Sequence, residues 1–154
     1  MNRLIMLLLL LVGLETVWAA PPAIFKMTVD ADLDTAFETV HKALENEKFW
    51  VVFEADMGAR MMRFKDKWGD DYNRNDLTAV KSMVFCHIWW TNQIANADPD
   101  LLAICPLHLS LYEKDGKTSL VLPRPSAIAA GSPGQAKAAE LEKDLTTLLE
   151  GAFD

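Results

Sequence analysis

The chain has 154 residues, 51% of them hydrophobic and 24% charged, with 15 basic side chains against 22 acidic ones for a net charge of -7, and it carries 2 cysteines. One hydrophobic core accounts for that length, since single domains usually close at roughly 100 to 200 residues; the apolar fraction and five tryptophans exclude a disordered chain, and so few cysteines exclude a disulfide-knotted scaffold. An acidic chain without a basic run has no face that would release counterions from phosphates, so no nucleic acid is expected as a partner.

Asn2 and Arg3 precede an apolar run over residues 4–14, and Glu15 and Thr16 then lead into Val17, Trp18, Ala19 and Ala20, the layout of a secretory signal peptide. As a helix that run reaches only about 16 Å, about half the hydrocarbon thickness of a bilayer, which is too short for a comfortable anchor. Small residues at the first and third positions before the bond, Ala19 and Val17, predict cleavage after Ala19; a cut one residue later would leave Pro21 directly behind the bond. Residues 1–19 are thus read as a signal peptide and residues 20–154 as a single periplasmic or secreted domain with no stable membrane anchor. Loss of Arg3 and Glu15 leaves the net charge at -7.

Residues 24–29 alternate, Phe25, Met27 and Val29 against Lys26 and Thr28, as a half-buried strand does. Asp32 is placed to cap a helix whose Leu33, Ala36, Phe37, Val40 and Leu44 recur at spacings of three and four. The short aromatic and β-branched run 49–53 predicts a second strand, covered on both faces, and residues 61–64 suggest a short third. Residues 65–79 are polar and read as an exposed connection. Residues 83–90 alternate bulky side chains on both faces, Met83, Phe85, His87 and Trp89 against Val84, Cys86, Ile88 and Trp90, which predicts a central strand. Asp98 and Pro99 open one or two helical turns that end before Pro106. The alternation of residues 107–112 runs into Asp115-Gly116, a hairpin signal, with 119–122 as the return arm. Ser132 and Gln135 have capping-box spacing for a last helix, with Ala138, Leu141, Leu145, Leu148, Leu149 and Ala152 as its buried stripe. Connections this short forbid parallel crossovers over most of the sheet, so the fold class is α+β: an antiparallel sheet with two main helices packed on one face, in β-α-β(n)-α order.

The segments DLDTAFETVHKALENEKFWVVFEADMGARMMRF, CHIWW, ADPDLLAICP and LYEKDGKTSLVL, taken in this order over residues 28–122, resemble the bacterial family known only as domain of unknown function 302. The resemblance implies a compact sheet with two helices, similar to the TATA-binding-protein-like fold class, and a homodimer; it brings no established reaction and no catalytic residues. The chain departs from the family pattern in having His87 and Ile88 after Cys86, where Asn and Pro are usual. Leu107 follows Pro106 where a cysteine is common, and Cys105 stands in front of that proline instead.

Four soft or borderline metal ligands, Cys86, His87, Cys105 and His108, fall in two neighbouring segments. Such side chains suit copper, zinc or haem, or, for the cysteines of an exported protein, a disulfide. A bridge between Cys86 and Cys105 would close a loop of about twenty residues, worth roughly 3 kcal/mol of loop entropy. Adjacent strand residues point to opposite faces, however, so Cys86 and His87 would not reach one ion without a bulge, and no cofactor is assigned. Asp71, Asn73 and Asn75 match the first oxygen positions of a calcium loop, but Asp76 and Ser82 stand where its Gly and Glu belong. His41 reads as a packed or surface residue, and Glu54 and Asp56 as solvated carboxylates at a strand end. No nucleophile elbow, phosphate loop or dinucleotide fingerprint is present.

If Trp89 and Trp90 are consecutive strand residues, one ring enters the core and the other meets the open face of the sheet, where an exposed indole wants a partner. Trp68 and Tyr72 in the polar connection are candidate anchors of the same surface. The first reading is therefore an exported, non-catalytic domain that dimerises or binds another protein or a small apolar ligand through Trp68, Tyr72, Trp89 and Trp90. The alternative is a thiol- or metal-dependent redox protein using Cys86 and Cys105 with His87 or His108.

Overall fold

The computed structural model describes residues 22–154; the expected signal peptide and its cleavage point lie outside the described residues. Strand β1 (Ile24–Val29) keeps the expected alternation, with Phe25 buried and Lys26 and Thr28 exposed. Helix α1 (Leu33–Asn46) starts where the Asp32 carboxylate accepts the Thr35 N–H at 2.9 Å, and it buries the five apolar residues of its stripe. It stops at Lys48, whose φ of 64° is left-handed, with the Phe49 N–H turned back to the Leu44 carbonyl at 2.9 Å. Strand β2 (Trp50–Asp56) follows directly.

The segment after β2 departs from the expectation. A helix, α2 (Met57–Met62), stands where a short strand at 61–64 was expected, because the Asp56 carboxylate accepts the Ala59 N–H at 2.7 Å and caps it. The polar connection contains a helical turn, α3 (Lys65–Trp68), and a 3-10 turn at Gly69–Asp71. Asn73 closes it, its amide donating to the Leu77 carbonyl at 2.9 Å and accepting the Leu77 N–H at 3.0 Å. The oxygen that a calcium loop would offer there is therefore spent within the turn.

Strand β3 (Ala79–Cys86) ends four residues earlier than the sequence pattern suggests, and helix α4 (Ile88–Ala97) replaces its second half. His87 makes the switch. Its ring Nδ1 accepts the Trp90 N–H at 3.4 Å and its carbonyl accepts the Thr91 N–H at 2.9 Å, so it caps a helix instead of continuing a ladder. Trp90 and Ile94, four apart, supply the buried side of α4. Asp98 then caps a 3-10 segment, Pro99–Ile104.

Strands β4 (Leu107–Lys114) and β5 (Lys117–Pro123) form the expected hairpin, with Asp115 and Gly116 at φ 53° and 73° as its two-residue turn requires. A helical turn, α5 (Pro125–Ile128), precedes the last helix, α6 (Gln135–Gly151). The sheet order is β1-β5-β4-β3-β2 and every neighbouring pair is antiparallel. Met83, Phe85, Leu109, Leu111, Leu120 and Leu122 on one face form a single core with the stripes of α1, α4 and α6, so the expected pair of main helices is joined by a third. The architecture is α+β. No helix among the described residues is long and apolar enough to cross a membrane.

Candidate functional site

Among the described residues the other face of the sheet carries no long helix, and its character changes from strand to strand. Across β1, β5 and β4 it is polar: Thr28 and Ser119 are hydrogen bonded at 2.9 Å, and the Lys26 ammonium lies 5.3 Å from the centre of the Tyr112 ring. A hydrogen bond at 2.7 Å joins Ser110 to Ser82 of β3. Lys26 and then Ser119 hold the Tyr112 phenol below its ordinary range by hydrogen bonding to it. On the edge strand β2 the character turns apolar. Trp50 pairs with Cys86 and Phe53 with Val84, and the register slips between them at a bulge centred on Val52. Trp50 is 48% exposed, Val52 64% and Phe53 55%; beyond the Trp50–Cys86 pair, in the first turn of α4, Ile88 is 70% and Trp89 53% exposed. Five large apolar side chains thus stand in water at one corner of the sheet.

Trp89 and Trp90 do differ in exposure, but not for the reason strand geometry offers. They are helical, about 100° apart around α4, and their rings touch edge to face with centres 4.7 Å apart. Trp90 is 5% exposed and belongs to the core, so it is withdrawn from the candidate surface. Trp68 is exposed and stacks on Phe64 at 5.1 Å, while Tyr72 is half-buried with the Lys65 ammonium 6.0 Å from its ring. Both follow the Asp56 end of β2, whereas Trp89 follows the Cys86 end of β3, which adjoins Trp50. The expected aromatic surface is therefore divided between the two ends of the β2–β3 ribbon, about 20 Å apart at about 3.3 Å per residue. Trp50 and Phe53, read from sequence as parts of a strand covered on both faces, are what the reading missed. The signal available was their position in a strand that could lie at the sheet edge.

The cysteines come together and the histidines do not join them. Cys86 Sγ lies 3.1 Å from the Thr91 hydroxyl, and Cys105 shares the same hydroxyl and feels the Cys86 sulfur. Burial pushes the Cys105 thiol up, with the Thr91 hydrogen bond acting in the opposite direction. Both thiols are free and half-buried. His87 packs its ring against Phe49 at 4.8 Å, and His108 pairs with Val84 and is exposed. Among the described residues no group of three or more His, Cys, Asp or Glu side chains is placed to hold a metal ion.

A polar groove of about 500 Å³ lies between α1 and the β2–β3 edge. In it His41 Nδ1 meets Glu54 Oε1 at 2.7 Å, and Lys81 meets Asp34 at 2.5 Å. The Asp34 hydrogen bond raises the Lys81 ammonium above its ordinary value. His41, expected as a packed or surface residue, and Glu54, expected as a solvated carboxylate, are thus partners, and no Ser, Thr or Cys is among the residues that line the groove with them. Neither this groove nor the one at the ends of α1 and α6 is lined by Trp50, Phe53, Ile88 or Trp89.

The sequence profile of the family described as Domain of unknown function DUF302 matches residues 25–152. A crystal structure of an uncharacterized conserved DUF302 protein from Bacillus stearothermophilus is similar with a TM-score of 0.72 at 16% identity, covering 87% of this chain and 100% of that one; at that identity the likeness speaks for the fold alone. A comparison with curated proteins finds no match. With most of its length matched by that profile, the chain belongs to the DUF302 family.

Proposed function

We propose that this chain is an exported, non-catalytic domain that associates with a second copy of itself through the aromatic corner formed by Trp50, Val52, Phe53, Ile88 and Trp89. The observation that carries the reading is the exposure of these five side chains along the first half of the edge strand and in the helix turn that follows its Trp50–Cys86 pair. Exposed apolar side chains grouped in this way mark contact surfaces. A small apolar ligand would want a concave pocket, whereas the grooves over α1 and at the ends of α1 and α6 are lined by other residues. None of the five carries a charge, so the contact itself desolvates no ionised group. A self-complementary patch closes as a two-fold dimer, the commonest assembly of soluble chains.

The contact runs through side chains and not through a joined sheet. Glu45 Oε1 accepts the Val51 N–H at 2.7 Å, and the bulge beside it breaks the ladder, so the start of β2 is blunted against strand addition. Sedimentation equilibrium tests the reading: Trp50→Ser and Trp89→Ser each weaken self-association by at least tenfold while far-UV dichroism stays that of the parent. A parent chain that sediments as a monomer at all concentrations contradicts it. The export half predicts an amino terminus at Ala20 in protein recovered from the periplasm, and an intact Met1 there contradicts that half alone.

A further inference from the structure

We propose that Cys86 and Cys105 form an intramolecular disulfide that ties the end of β3 to the segment just ahead of β4 and so closes the loop that contains α4. The register brings the two residues together: Phe85 pairs with Leu107, so Cys86 stands one residue past that pair on β3 and Cys105 two residues before it on the facing chain. Pro106 therefore faces Cys86, and Cys105 lies ahead of β4, where the ladder's alternation of faces does not govern its side chain; both sulfurs neighbour the Thr91 hydroxyl. The Thr91 hydroxyl holds the sulfurs. It donates to the His87 carbonyl at 3.1 Å, which leaves its lone pairs for the two thiols, and Cys86 Sγ is 3.1 Å away.

The oxidant is an external disulfide. The Cys86 thiolate attacks one of its sulfurs, the external S–S bond breaks and one thiol leaves; the Cys105 thiolate then attacks the mixed disulfide on Cys86 and releases the second thiol. Two protein thiols lose two electrons and two protons, and the external disulfide becomes two thiols. The bridge stands independently of self-association, since neither sulfur belongs to the aromatic corner.

The experiment treats the native full chain with oxidised glutathione and then alkylates it. The expected result is loss of both alkylation sites, a mass lower by two hydrogens, a peptide containing Cys86 joined to one containing Cys105, and a rise in Tm of several degrees that dithiothreitol reverses. Cys105→Ser is expected to stop at a stable glutathione adduct on Cys86. Two thiols that stay alkylatable in the folded protein after prolonged exposure, or disulfides that form only between chains, overturn the proposal. Sedimentation of the reduced protein reads the association separately, so either proposal can fail while the other stands.

Discussion

His87 decides the local structure around the tryptophans, and it does so by a device that sequence patterns rarely advertise. Ser, Thr, Asp and Asn are the usual side-chain acceptors at a helix start, whereas here an imidazole nitrogen takes the Trp90 N–H. Residues 83–90 satisfy strand alternation throughout, and the helical spacing shows only when Trp90 is read with Ile94 beyond them, so the pattern within the run favours a strand. The core residues at 83 and 85 were legible because the strand is real as far as Cys86; the turn into α4 was not, because its cap is atypical. The two indoles now make opposite predictions in urea unfolding. Trp90→Ala removes a core ring and is expected to cost about 3–5 kcal/mol, while Trp89→Ala gives up only the edge contact with Trp90 and is expected to cost about 0.5–1.5 kcal/mol. Equal losses at both positions contradict the assignment of one ring to the core and the other to water.

Elements with a capping residue and a buried stripe were readable: Asp32 with the stripe of α1, and Asp115-Gly116 with the alternation of β4. The short helices α2 and α3 bury no residue and so leave no period in the sequence. One tie between elements carries a pH prediction. Glu142 of α6 accepts from the Arg124 guanidinium at 2.5 Å and from the Ser126 N–H at 3.0 Å, holding α5 and its entry against the last helix. Burial pushes the Glu142 carboxyl up, but the hydrogen bonds from Ser126 and Arg124 outweigh it and its value lies below the ordinary 4.5. A lowered carboxyl supplies stability that is fully present above the ordinary value and drains away as pH falls through the lower folded one. Glu142→Gln is therefore expected to cost about 1–3 kcal/mol at neutral pH, with the gap from the parent closing below pH 4.5. Thermal melts of both chains from pH 7 to pH 3 read this, and a gap that is constant or widens in acid contradicts it. At the sheet edge, Glu45→Ala uncovers the Val51 N–H and is expected to increase light scattering on heating; scattering equal to the parent's would show that the carboxylate does not guard the edge.

At the scale of the whole molecule, the sheet divides into a core face closed by three helices and an open face that is polar across β1, β5 and β4 and apolar at the β2 corner. The class of fold and the hairpin order were legible, because short connections and period-two alternation leave few topologies. The position of β2 at the edge was not, since strand order depends on contacts between segments distant in sequence. That one placement turns Trp50 and Phe53 from core residues into surface ones and moves the candidate interface away from Trp68 and Tyr72. Hydrogen exchange of the full chain at low and high protein concentration tests this most directly. Protection is expected to rise with concentration in β2 and in the first turn of α4 and to stay constant along β1 and around Trp68; protection that does not change with concentration, or that rises at the β1 edge, contradicts the assignment of the aromatic corner as the contact surface.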